Sequence, residues 1–203
     1  EVRQSLAAFG RSLFARGYGS GTSGNLSVRL DDGFLMSPTN QSLGALEPDG
    51  LSRLDASGRL VSGPPATKEA WLHMATYRAR PRDRAVVHLH STYAVALSCR
   101  TDLNPVDALP PVTPYIVMRV GRVALVPYRR PGDDSVAATI EDLARRHRAV
   151  LLANHGPVVA GPDLATAVSA AEELEETAKL FFLLEGRPHA VLTPDHVKEL
   201  ERV

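Results

Sequence analysis

His88 and His90 stand two residues apart in a short β-rich run, AVVHLH, at positions 85–90. Alternation along a strand sends both imidazoles to one face, where they can converge on a single ion. Neutral imidazole nitrogen suits zinc, manganese, iron, cobalt or nickel. An HxH pair also lines ordinary polar clefts, so its neighbours decide the reading. His155 sits in an Asn154-His155-Gly156 turn at the end of a strand-like run. Gly156 permits close backbone approach there, and a third imidazole can either complete a facial ligand set or simply be satisfied by hydrogen bonds of the turn. Glu69 adds a carboxylate at the start of a helix, where it can ligate the ion, move protons or complement the helix dipole.

A second group begins at Gly19 and runs through Ser20, Gly21, Thr22, Ser23 and Gly24 to Asn25. Its glycines match the spacing GxGxxG. A dinucleotide fingerprint follows a strand and opens a helix, whereas this loop follows a helix and opens a strand, so it does not read as a nucleotide site. Its backbone amides can instead form an anion nest, with Ser23 and Asn25 adding side-chain contacts, which suits a phosphate.

The elements that must position these groups are legible in outline. Val2, Leu6, Phe9, Leu13 and Phe14 recur at helical spacing before a stop at Gly17. Residues 25–30 and 33–37 flank Asp31-Asp32 as a hairpin, and short strands follow around 51–54 and Leu60. After Gly63-Pro64-Pro65, Thr67 is placed to cap a helix that contains Glu69, Trp71, Leu72 and Ala75 and ends near Pro81. A helical turn is expected at 93–99, a proline-rich loop at 105–114 and two strands around Gly121 within 115–128. Residues 133–148 read as a helix, 150–154 and 158–160 as strands, and Asp163 opens a long helix to about Glu185 with an apolar face from Leu164 to Phe181.

Composition narrows the class of function. The 203 residues carry 23 basic and 23 acidic side chains, so no net charge draws the chain to nucleic acid or an anionic membrane, and a small molecule is the expected partner. Cys99 stands alone, which excludes an intrachain disulfide and a cysteine-built zinc site; it reads as a buried thiol in a reducing cytoplasm. No apolar run approaches a membrane span, and the first residues do not read as a signal peptide. One α/β domain over 1–203 is expected.

Taken together, SGNLS at 23–27, SPTN at 37–40, ATKEAWLHM at 66–74, VVHLHS at 86–91 and LLANHG at 151–156 resemble the class II aldolase/adducin family over nearly the whole chain. The resemblance implies a single three-layer α/β/α domain with a central mixed, largely antiparallel sheet. It implies a divalent metal, zinc first, held by His88, His90, His155 and Glu69, and phosphate contacts from Gly24, Asn25, Thr39, Asn40, Thr67 and Lys68. It further implies a homotetramer with sites near subunit interfaces, and a role for Tyr115 across such an interface.

Sugar-phosphate aldolases of the family carry paired small hydroxyl residues just before the Glu, whereas this chain has Thr67-Lys68, whose ammonium can bind a phosphate or a substrate carboxylate. The stretches 110–121 and 126–133 are most similar to the branch that decarboxylates 3-oxo-tetronate 4-phosphate to dihydroxyacetone phosphate and carbon dioxide through a metal-stabilised enediolate. Glu69 and Tyr115 are then the candidate catalytic residues. Fuculose- or rhamnulose-type aldol cleavage is the alternative. Pentulose-phosphate epimerisation and an adducin-like interaction domain without catalysis stand further off.

Overall fold

The computed structural model describes residues 1–130 and 133–202. Pro131 and Gly132, part of the 126–133 motif, lie outside the described residues. Eight strands form one sheet: β1 (Asn25–Leu30), β2 (Gly33–Met36), β3 (Ser52–Asp55), β4 (Leu60–Ser62), β5 (Ala85–His88), β6 (Val123–Val126), β7 (Ala149–Leu152) and β8 (Gly156–Gly161). Their order is β4-β3-β2-β1-β5-β8-β7-β6, antiparallel throughout except for the parallel pair β6 and β7. This is the mixed, largely antiparallel sheet expected.

Among the described residues there are six α-helices, α1 (Val2–Ala15), α2 (Ala70–Ala79), α3 (Thr92–Ser98), α4 (Ala137–Arg146), α5 (Leu164–Leu184) and α6 (Pro194–Leu200), of which the first five pack on the sheet and α6 lies against Ile116–Val120. Strand alternation sorts the core into two layers. Leu26, Val28, Ala85, Val87, Leu151 and Val159 pack with α1, α3 and α5, while Met36, Val86, Val150, Val158 and Ala160 pack with α2 and α4. Each fully buried Val or Leu contributes roughly 1.5–3 kcal/mol. Burying a polar side chain that keeps its hydrogen bonds costs less than that, so the core tolerates polar residues where its strands end.

Those polar residues follow from the same parity. Asn25 and Ser27 alternate with Leu26, and His88 alternates with Val87, so all three point to the α2 side; Asn25 sits directly opposite His88 in the ladder. The end of β1 and the end of β5 thereby meet the start of α2.

Three readings from sequence are corrected. The segment expected as the first of two strands around Gly121 is a π-helical turn over Ile116–Val120, closed by the Gly121 amide donating to the Ile116 carbonyl, and only β6 follows it. Cys99 is exposed, because α3 ends at Ser98 and the thiol falls in its C-terminal cap. Thr67 caps a turn ahead of α2, its hydroxyl accepting from the Glu69 amide at 3.2 Å, with α2 starting at Ala70. α6 was not anticipated, although Thr193 caps it and Pro194 opens it in the standard manner. No helix among the described residues is long and apolar enough to cross a membrane.

Candidate metal centre and substrate cavities

His88 closes β5, and His90 lies two residues further on, just beyond the strand. α3 begins immediately after Ser91. Its first turn is held by the buried carboxylate of Glu175 on α5, which accepts from the amides of Tyr93 and Ala94 at 2.8 and 2.7 Å. The other end of α3 holds the third histidine: the Ser98 carbonyl accepts from Asn154 N–H at 3.0 Å and the Ser98 hydroxyl from His155 N–H at 3.2 Å. Asn154 takes a left-handed φ of 56°, as asparagine tolerates. Gly156 has φ 145°, and a Cβ there would lie 2.4 Å from the Leu89 carbonyl oxygen, so only glycine lets this turn close on β5.

The result is a tight donor set. His88 Nε2 is 3.0 Å from His90 Nε2 and 3.3 Å from His155 Nε2, and the last two are 3.1 Å apart. Glu69 Oε2 approaches His88 Nε2 at 3.3 Å and Oε1 approaches His155 Nε2 at 3.1 Å. At a metal–nitrogen distance of ~2.05 Å, two nitrogens on one ion are about 2.9 Å apart in octahedral geometry and about 3.4 Å apart in tetrahedral geometry. The observed spacings fall in that interval.

Protonation points the same way. His88 Nδ1 donates to the Pro157 carbonyl at 2.8 Å, so in the neutral ring Nε2 carries the lone pair toward the centre. Burial, with the neighbouring His88 and His155, lowers the His90 pKa to about 4, keeping that ring neutral. Burial alone would raise the Glu69 carboxyl, but the adjoining His155 and His88 rings and the Asn25 amide that donates to it outweigh this and hold the group below the ordinary carboxylate range. With Nε2 unprotonated, as the Pro157 bond sets for His88, nitrogens and a carboxylate that converge on one point repel one another, and a divalent cation relieves that repulsion. These four residues therefore fit such an ion on their own chemistry.

Two cavities flank the cluster. One, of about 360 Å³, is lined by all six residues expected to contact phosphate, Gly24, Asn25, Thr39, Asn40, Thr67 and Lys68, together with Glu69 and His90. The three chain segments that supply them are tied by main-chain bonds: Ser37 N–H to Leu26 O at 2.9 Å, Thr39 N–H to Pro65 O at 2.9 Å and Thr67 N–H to Ser37 O at 3.1 Å. Gly24 adopts φ 80°, and a Cβ there would press on the His88 carbonyl at 3.1 Å. Lys68 is exposed at the cavity wall and forms no ion pair among the described residues. The other cavity, of about 570 Å³, is lined by Glu69, His90 and His155 and adds Tyr128 and Arg129.

Tyr115 borders neither cavity. It is 55% exposed, with the Arg119 guanidinium 5.0 Å from its ring centroid. Sequence reasoning missed Arg129 as a site residue, although it lies in the 126–133 stretch singled out for its similarity to the decarboxylase branch. It also missed His73, whose signal was available: one helical turn beyond Glu69, it shares that residue's face of the helix.

Residues 4–182 match the Class II Aldolase and Adducin N-terminal domain, and the chain belongs to that family. Within it, the chain is 50% identical over 200 residues to the 3-oxo-tetronate 4-phosphate decarboxylase of Pectobacterium atrosepticum, covering 98% of this chain and 92% of the relative. It is 35% identical to the L-fuculose phosphate aldolase of Methanocaldococcus jannaschii, over 85% of this chain and 91% of that one. The crystal structure of YgbL from Escherichia coli superposes with a TM-score of 0.96 at 47% identity, covering 98% of this chain and 97% of that one.

Proposed function

We propose that this chain, acting as one domain over residues 1–203, is a divalent-metal-dependent lyase that decarboxylates 3-oxo-tetronate 4-phosphate to dihydroxyacetone phosphate and carbon dioxide. The observation that carries this reading is the placement of the four-residue donor set between a polar cavity walled by Lys68 and a second cavity containing Arg129. A substrate with an anion at each end needs a cationic group on each side of the reacting carbons. The half-identical decarboxylase relative supports the same choice.

A divalent ion held by His88, His90, His155 and Glu69 supplies a Lewis acid for the ketone oxygen as negative charge develops there. Zinc is the first choice, with manganese, cobalt, iron and nickel as alternatives. The protein supplies position and charge. The loop ending in Gly24 and Asn25, together with Thr39, Asn40, Thr67 and Lys68, holds the 4-phosphate, and Arg129 orients the C1 carboxylate. Breaking the C1–C2 bond releases carbon dioxide and leaves its electron pair on C2 as an enediolate. One proton delivered to C2 then completes dihydroxyacetone phosphate, and Glu69, once its carboxylate leaves the ion and takes up a proton, is the first candidate to supply it. Tyr115 would join a site only from a neighbouring subunit of a homotetramer. A phosphorylated substrate, retained inside cells by its charge, goes with a cytoplasmic location.

Purified, zinc-loaded protein incubated with 3-oxo-tetronate 4-phosphate is expected to release carbon dioxide and dihydroxyacetone phosphate. Aldehyde release from a ketose 1-phosphate, without carbon dioxide from the acid, would replace this reading by aldol cleavage. Lys68→Ala is expected to lower kcat/KM for the phosphorylated acid about 10- to 100-fold, the worth of a charge-assisted hydrogen bond. An equal loss on an uncharged sugar would remove Lys68 from the anion site.

A further inference from the structure

Beneath the metal centre lies a buried line of polar side chains, of which Tyr77, Ser27 and His73 take no part in the proposed chemistry. The Tyr77 hydroxyl is 2.8 Å from Ser27 Oγ, which is 2.7 Å from His73 Nδ1; His73 Nε2 is 2.5 Å from Asn25 Oδ1, and Asn25 Nδ2 donates to Glu69 Oε2 at 2.8 Å. His73 and Ser27 are fully buried and Tyr77 nearly so. Only one assignment of donors satisfies every contact. A carboxylate accepts, so Asn25 must turn its NH₂ to Glu69 and its carbonyl to His73. His73 must then carry its proton on Nε2, leaving Nδ1 to accept from Ser27, whose oxygen accepts from Tyr77. Reversing the Asn25 amide would set two oxygens against each other at Glu69.

We infer that His73 is a positioning residue for the metal centre: its Nε2–H fixes the Asn25 amide, which in turn fixes the Glu69 carboxylate toward the ion. The assignment rests on the metal-centre reading proposed above. The same lock uses one of the two Asn25 amide hydrogens and leaves the other for an anion in the Lys68 cavity. Filling the space is therefore not enough at position 73; a donor at the Nε2 position is required.

Two variants separate that requirement from packing. The amide nitrogen of His73→Gln can reach the Nε2 position, whereas the shorter His73→Asn offers polar atoms only near Nδ1 and leaves Asn25 Oδ1 unpaired. Zinc affinity, measured by competition with a chromophoric chelator, is expected to fall about 10- to 100-fold in His73→Asn. His73→Gln is expected to restore wild-type affinity. Equal affinities in the two variants, or wild-type affinity in His73→Asn, would overturn the assignment. Should neither variant fold, ¹⁵N NMR of the zinc-loaded wild type decides: a proton on Nε2 with unprotonated Nδ1 is expected, and a proton on Nδ1 overturns it. Failure of wild type to take up zinc would instead remove the metal-centre reading itself, and failure on the substrate alone would leave these binding results standing.

Discussion

His90→Ala is expected to lose metal affinity and turnover together while the metal-free protein folds as well as wild type. Structural zinc sites with four ligands carry about 10–16 kcal/mol, so one ligand accounts for about 3 kcal/mol, or about two orders of magnitude in affinity. His90 is the most suitable of the three histidines to remove. It is half-buried and lies outside the strand, whereas His88 is fully buried and bonded to Pro157. Deleting His90 also takes away one of three converging lone pairs, so the thermal midpoint of the metal-free variant should match or exceed that of wild type. Elemental analysis after zinc loading and dialysis, with thermal unfolding in chelator, reads both effects. Undiminished zinc content in the variant would remove His90 from the ligand set.

Glu69→Gln is expected to reduce kcat by about 10²- to 10⁴-fold at zinc concentrations that saturate the variant, the range associated with losing a positioned proton-handling group. The substitution keeps the size of the side chain and an oxygen that can accept from Asn25. It removes the charge and the capacity to hold a proton. Glu69 borders both cavities, the one proposed for the phosphate and the one proposed for the carboxylate. Exchange of solvent deuterium into C1 of dihydroxyacetone phosphate, the carbon that was C2 of the acid, should fall in parallel. A kcat close to that of wild type would confine Glu69 to metal binding.

How much of this was legible in the chain depends on the range of the interaction. Parity along a strand put His88 on the same face as Val86, and the Asn-His-Gly turn declared itself through residues that tolerate left-handed or glycine-only backbone. These are local rules, and they marked the three histidines as candidate ligands; the family resemblance joined Glu69 to them. The segment 116–120 shows where local rules stop. Ile116 and Val120 are both buried, and a spacing of four puts two residues on one face of a strand and of a helix alike, so periodicity could not choose. Packing against α5 chose the helical turn, with Arg119 paired to Glu173 at 3.6 Å.

The amino-acid sequence by itself marked the histidines and the glycine-rich loop as candidates to bind a cation and an anion, because residue type, strand alternation and glycine conformation act over a few neighbours. Only the tertiary structure decided that Glu69 lies within 3.3 Å of His88, that Arg129 opens onto the same centre as Lys68, and that His73 reaches Glu69 through Asn25. Those relations join β1, α2, β5 and the turn before β8. They arise when two core layers close on the sheet and leave each buried polar atom only the partners that the packing brings to it.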